Sequence, residues 1–195
     1  MKRVKLVIVS VAVILLSANV SILQAEEKDT STIIEVLNPE YSKPANMDDM
    51  VEINADSSVE DILKATNYYY AIHDFDKAIE LGELALKKTN DRHLLAAIHF
   101  SLSSNYLEKG IEAYQRNKDD SFYQRSIQFA KKYLEVDPNG WQALGNIGTV
   151  YLNMGAWEQA VLYLSEAEKH LDQNNPSYAA IEFSRSFAEE MSKKK

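Results

Sequence analysis

Four histidines, His73, His93, His99 and His170, are the side chains of this chain best suited to titrate or to ligate a metal near neutral pH. None forms the four-apart pair that puts two imidazoles on one helical face, since His93 and His99 are six residues apart. They read as solvated or groove-lining side chains. There is no cysteine, so thiolate nucleophiles, disulfides, Cys-containing zinc sites and a lipid-modified N-terminal Cys are excluded. No serine sits in a Gly-x-Ser-x-Gly elbow, and no Gly-rich loop is built to cradle phosphate. The acids, such as Glu80, Glu83 and Glu108, are spread along presumptive helix exteriors rather than gathered in pairs. The expectation is a protein that is not an enzyme, with no catalytic residue, no cofactor and no metal.

Composition narrows the elements that could position any binding side chains. The chain has 195 residues, 46% of them apolar, enough for one domain with a real core plus appendages. Only 6 Gly and 4 Pro occur, which favours long helices over many-stranded sheet. The formal charge is −8. Residues 1–25 hold three bases and no acid; setting them aside leaves 18 of the 21 basic residues against 29 acids, a net of −11. So acidic a body repels phosphate backbones, and nucleic acid is not expected as a partner.

The N-terminus has its own signature. Lys2, Arg3 and Lys5 precede the apolar run from Leu6 to Leu16, followed by a polar patch and Leu23-Gln-Ala25. A basic head, a short apolar run and a small residue describe a secretory signal over residues 1–25. The run is 11 residues, short of the roughly 20 a membrane-spanning helix needs. Cleavage after Ala25 and an uncleaved inner-membrane anchor both remain open. Either places the body outside the cytoplasm, periplasmic or secreted. Residues 26–58 are acidic and aperiodic, with two apolar islands, Ile33-Ile34 and Val36-Leu37. They read as a leader with little fixed structure, able to lie on the body or on a partner through those islands and Tyr41.

From residue 59 the chain becomes periodic. In Trp141 to Ala167, Gly148 precedes Tyr151 by three residues, Gly155 follows it by four, and Trp157, Ala160 and Ala167 come next. This spacing predicts helix, tight turn, helix, with small residues where the helices cross. Tyr106 and Ser103 repeat the pattern earlier, then Tyr123, Ser126, Ala130, Tyr133 and Leu134 run on to Pro138. Their alignment needs an insert over 111–121. Ile111 to Arg116 has no breaker, so the insert is expected to lengthen the first helix. Asn117 to Asp120 would then turn, with Asp120 capping the next helix. Tyr133 stands where Ala is expected, and Ala130 where an aromatic is usual. In the earliest unit Tyr69, Thr66, Phe75, Ala78 and Ala85 take the equivalent places, with His73-Asp74 as the turn.

These residues resemble the tetratricopeptide repeat (TPR), a helix pair with small and aromatic residues at fixed offsets. The resemblance implies an all-α fold, a right-handed α-solenoid of about three TPR helix pairs plus a C-terminal capping helix. The domain would span 59–192, with units 59–92, 96–140 and 141–174. Pro176 starts the cap, 176–193, which carries Tyr178, Ile181, Phe183 and Phe187. Tyr69, Tyr106 and Tyr151 should wedge between paired helices.

In that family the first helix of each pair lines a concave groove for extended peptides or a partner's helix. Carried onto this chain, the groove positions are Leu63, Asn67, Tyr70 and Ala71; Phe100, Ser104, Leu107 and Glu108; and Gln142, Gly145, Thr149, Leu152 and Asn153. Asn67 and Asn153 would pair with a ligand main chain, and Tyr70, Phe100 and Leu152 would be apolar anchors. The alternative is that several of these pack against the leader or a neighbouring helix. No Lys or Arg occupies these positions, so a clamp for a carboxylate terminus is not supported. Two functions compete: a non-catalytic adaptor of the cell envelope, and a permanent structural subunit docked through its convex face and the 111–121 insert. A remoter reading is an enzyme or a carbohydrate binder stacking sugars on Trp141, Trp157 and the tyrosines. The partner would be protein, with membrane contact only through an uncleaved N-terminal segment.

Overall fold

A computed structural model describes Ile53, Asn54 and Asp56–Lys194. The expected secretory signal, 1–25, and most of the expected leader, 26–58, lie outside the described residues. Every element among the described residues is helical. They are α1 (Val59–Ala71), α2 (Phe75–Leu86), α3 (Arg92–Asn117), α4 (Ser121–Leu134), α5 (Trp141–Met154), α6 (Trp157–Lys169) and α7 (Tyr178–Ser192). None is long and apolar enough to cross a membrane.

Local chemistry sets the boundaries. Ser58 Oγ accepts from the Asp61 amide at 3.0 Å and caps α1. Asp91 Oδ1 accepts from His93 and Leu94, both at 2.9 Å, and caps α3. The Asp120 cap is corrected: Asp120 holds the N-cap position of α4, but its side chain makes no capping bond. Asp119 takes the role, accepting from the Ser121 amide at 3.0 Å. Three turns use a left-handed residue, His73 (φ 62°), Lys118 (φ 62°) and Gly155 (φ 72°). The first and third share a pattern. Asp74 N–H reaches Tyr69 O and Ala156 N–H reaches Tyr151 O, each at 2.9 Å.

Consecutive helices pack as antiparallel pairs, α1 with α2, α3 with α4, α5 with α6, and α7 closes on α6. The first helices also meet each other: α1 touches α3, α3 touches α5, α5 touches α7. Consecutive second helices are not among these packed pairs of the described residues. The longest helix, α3 with 26 residues, therefore has α1, α2, α4 and α5 around it. A helix covered on every side buries all its faces, and Phe100 to Leu107 are buried without a break.

Three apolar clusters fill the body. One joins α1, α2 and α3 through Ile62, Leu63, Leu81, Ile98 and Leu102. A second joins α3, α4 and α5 through Leu107, Tyr123, Ile127 and Ile147. The third seats α7 on α5 and α6 through Trp141, Leu164 and Ile181. Small residues set the close approaches. A Cβ on Gly148 would lie 2.6 Å from Leu164 Cγ, and one on Gly110 would lie 2.3 Å from the Tyr123 ring. Of the three tyrosines expected to wedge, Tyr106 is buried between Phe122 and Phe129. Tyr69 and Tyr151 are half-buried; the fully covered ring of α1 is Tyr68. On α7, Ile181 is buried, but Phe183 is 72% exposed, a correction to its place on the apolar face.

Candidate functional site

The first helices carry the expected groove positions in stripes spaced three and four residues apart, which a helix gathers on one side. Their placement splits by chemistry. Leu63, Phe100 and Leu107 are core residues: Leu63 belongs to the α1–α2–α3 cluster, Leu107 to the α3–α4–α5 cluster, and Phe100 packs on Tyr133 at 5.8 Å. Phe100, at 2% exposure, is thus no accessible anchor. The cause is the crowding around α3, which uses apolar side chains on every face. Ser104, Gly145 and Thr149 are also buried.

The remainder form the half-exposed rim: Asn67 and Tyr70 on α1, Glu108 on α3, and Gln142, Leu152 and Asn153 on α5. Ala71 is exposed at the end of α1. Tyr70 Oη meets Glu108 Oε1 at 3.4 Å and ties the rims of α1 and α3 together. Burial, then the adjacent Glu108 carboxylate, holds the Tyr70 phenol well above its ordinary value, so it stays a neutral donor. Asn153 Nδ2 donates back to Thr149 O at 3.0 Å, a bond within its own helix.

Beneath the rim runs a buried polar seam that reading the sequence missed. Asn146 Nδ2 donates to Ser103 Oγ at 3.2 Å and to Ser104 Oγ at 3.1 Å, joining α5 to α3. Ser126 Oγ donates to Ser103 O at 2.9 Å, carrying the seam to α4. Asn105 Nδ2 donates to Ser101 O at 2.8 Å. Asn105 Oδ1, Asn146 Oδ1 and Thr149 Oγ1 are buried without a hydrogen-bond partner. The available signal was the density of small polar residues in Ser101 to Asn105, opposite Asn146 between two glycines.

A second polar cluster lies at the other end of the chain. Glu168 accepts from Arg185 Nε at 2.5 Å and Tyr178 Oη at 2.9 Å, while Arg185 Nη1 donates to Glu189 at 2.6 Å. These hydrogen bonds, to Glu168 first, hold the Arg185 guanidinium above its ordinary value and charged. Glu168, Tyr178 and Arg185, with Ser165 and Lys169, line an open cleft of about 370 Å³. Its charges are mutually satisfied, and the cluster pins α7 onto α6.

The histidines do not converge. His73 sits in the first turn against Phe75, and His170 pairs with Glu166 at 3.2 Å. His99 lies beside Phe129 with Nδ1 buried and unpartnered, and burial, then Lys132, lowers its pKa. Among the described residues no group of three or more His, Asp and Glu is placed to hold a metal ion.

Fold and site together define an all-helical protein of packed adjacent helix pairs. No protein-family model matches the chain, and no curated protein matches it.

Proposed function

We propose that the chain is a right-handed α-solenoid of three TPR-like pairs with a capping helix, and a non-catalytic adaptor of the cell envelope. It takes an extended protein segment along the side lined by α1, α3 and α5, for assembly or export of an envelope complex. One observation carries this reading: first helices pack on first helices, whereas consecutive second helices are not among the packed pairs. The half-exposed positions of these helices include Tyr70 and Glu108, which meet at 3.4 Å, and Leu152 and Asn153 on α5. Amides and hydroxyls there suit a ligand main chain, whose dehydrated groups must be paired. The sequence signature of residues 1–25 supports export, to the periplasm or beyond, with or without retention at the inner membrane.

Substituting the rim without touching the core tests the proposal. Leu152→Glu with Asn153→Arg should reduce capture of the native partner at least tenfold while leaving the melting temperature within a few degrees. Unchanged capture by a normally folded variant would refute it.

A second reading, a permanent subunit of a larger complex, draws on the exposed Phe183 (72%) and Leu162 (64%). Depletion of the chain in cells lacking its complex would favour that reading over the adaptor.

A further inference from the structure

We infer that His99 is an acid-sensitive latch between α3 and α4: the crossing holds no acceptor for a proton on its Nδ1, so acid loosens the middle helix pair before the last. The inference stands apart from the adaptor reading, since α4 is not one of the helices lining that face.

His99 is half-buried on α3, with its ring against Phe129 of α4, centroids 5.8 Å apart and planes tilted by 30°. Its Nδ1 is buried and has no hydrogen-bond partner among the described residues. A buried N–H without an acceptor gives up its bond to water and gains nothing in return. The neutral ring therefore keeps its one proton on Nε2, whereas an imidazolium carries protons on both nitrogens. Acid puts a donor and a charge where the fold supplies no oxygen.

The surroundings do not repair this. A phenyl face can hold a cation, but Lys132 Nζ already sits 5.6 Å from the centroid of Phe129. Phe129 is also stacked on Tyr106 at 5.6 Å, which ties it into the packing of α3 on α4. Lys132 and Glu135, both on α4, are the charged groups that act on His99, and none from α1, α2 or α5 does. Glu83 of α2 accepts from Tyr106 instead. Burial first, then Lys132, disfavours the charged ring; Glu135 favours it but is outweighed, so the His99 pKa is lowered. The last pair is built differently. His170 Nε2 lies 3.2 Å from Glu166, so a protonated ring there has an acceptor.

The folded chain thus takes up the His99 proton less readily than the unfolded chain. The stability that the neutral ring confers is complete above about pH 6.5, the unfolded value, and is lost as pH falls from there toward the folded pKa.

Proton NMR of the full chain tests this through the assigned His99 ring signal, titrated with the chain native and unfolded in urea. The native midpoint should lie below the unfolded one. Hydrogen exchange is then compared at about pH 7.5 and about pH 5, corrected for intrinsic rates. On acidification α4 amides should lose roughly threefold more protection than α6 amides. His99→Phe or His99→Gln should remove that difference. If neither variant folds, the midpoint and the exchange pattern of the native chain decide. A native midpoint at or above the unfolded one, equal acid responses of α4 and α6, or an α4 response that survives in a folded variant would each overturn the inference.

Discussion

The middle and last helix pairs solve the same packing problem with different chemistry. In α5–α6 the crossing is dry. Gly148 leaves room for Leu164, whose side chain occupies the space a Cβ would need. In α3–α4 the crossing is polar. Ser103 takes the equivalent place, and Ser126 donates to its carbonyl across the gap at 2.9 Å. The aromatic wedge differs too. Tyr106 is stacked between Phe122 and Phe129, with its hydroxyl donating to Glu83 at 2.9 Å. Tyr151 is half-buried on Tyr163. A helix pair thus demands small volume at its crossing, not a particular residue. A polar atom is tolerated there once its hydrogen bond is built in.

The contrast breaks most visibly at the wedge. Tyr106→Ala should destabilise by about 4 kcal/mol, with Tyr151→Ala costing about half as much, read from denaturant midpoints. Equal losses would mean that the two rings are equally buried. At the crossings, Gly148→Leu should cost about 3 kcal/mol by overpacking. Ser103→Ala should cost about 1 kcal/mol, since one hydroxyl is lost and Asn146 keeps Ser104. The dry crossing is limited by size, the polar one by bonding.

How far this was legible depended on the kind of signal. Helix ends were readable where a breaker or turn residue marks them, as at Asn117 to Asp120 and before Tyr178. The unbroken run Ile111–Arg116 is helical for the same reason. Tyr68 and Tyr69 were confused because one step along a helix turns a side chain about 100°, and three tyrosines stand in a row. The polar seam was invisible for a deeper reason. Spacing placed Ser103 at the helix crossing and Ser104 on the groove side, but that both hydrogen-bond to Asn146 follows only once four neighbours are placed around α3. The same crowding took Leu63, Phe100 and Leu107 from the expected groove. Of the expected positions, only Ala71 and the half-exposed ones, such as Asn67, Tyr70, Leu152 and Asn153, were left at the surface.

Smaller effects sharpen the comparison. Burial, with the bond to Glu83, pushes the Tyr106 pKa up to about 12. A raised phenol pKa stabilises the fold below about pH 10, its unfolded value, and that contribution fades as pH climbs toward 12. Tyr106→Phe should flatten stability across that window, read from denaturant midpoints at a series of pH values. At the turns, Lys118→Gly should add roughly 1 kcal/mol by relieving a left-handed non-glycine residue, and Gly155→Ala should lose a similar amount. Thermal melts of the two variants should therefore shift in opposite directions.

The proposed binding face can be tested with two leucines of the last pair, the half-exposed Leu152 on α5 and the exposed Leu162 on α6. A photocrosslinking residue is placed at either position in the full chain, in the native cell, and irradiated. The account predicts one discrete protein adduct from position 152, at least fivefold stronger than anything from 162. Adducts of equal strength from both positions, or a discrete adduct from 162 alone, would contradict it.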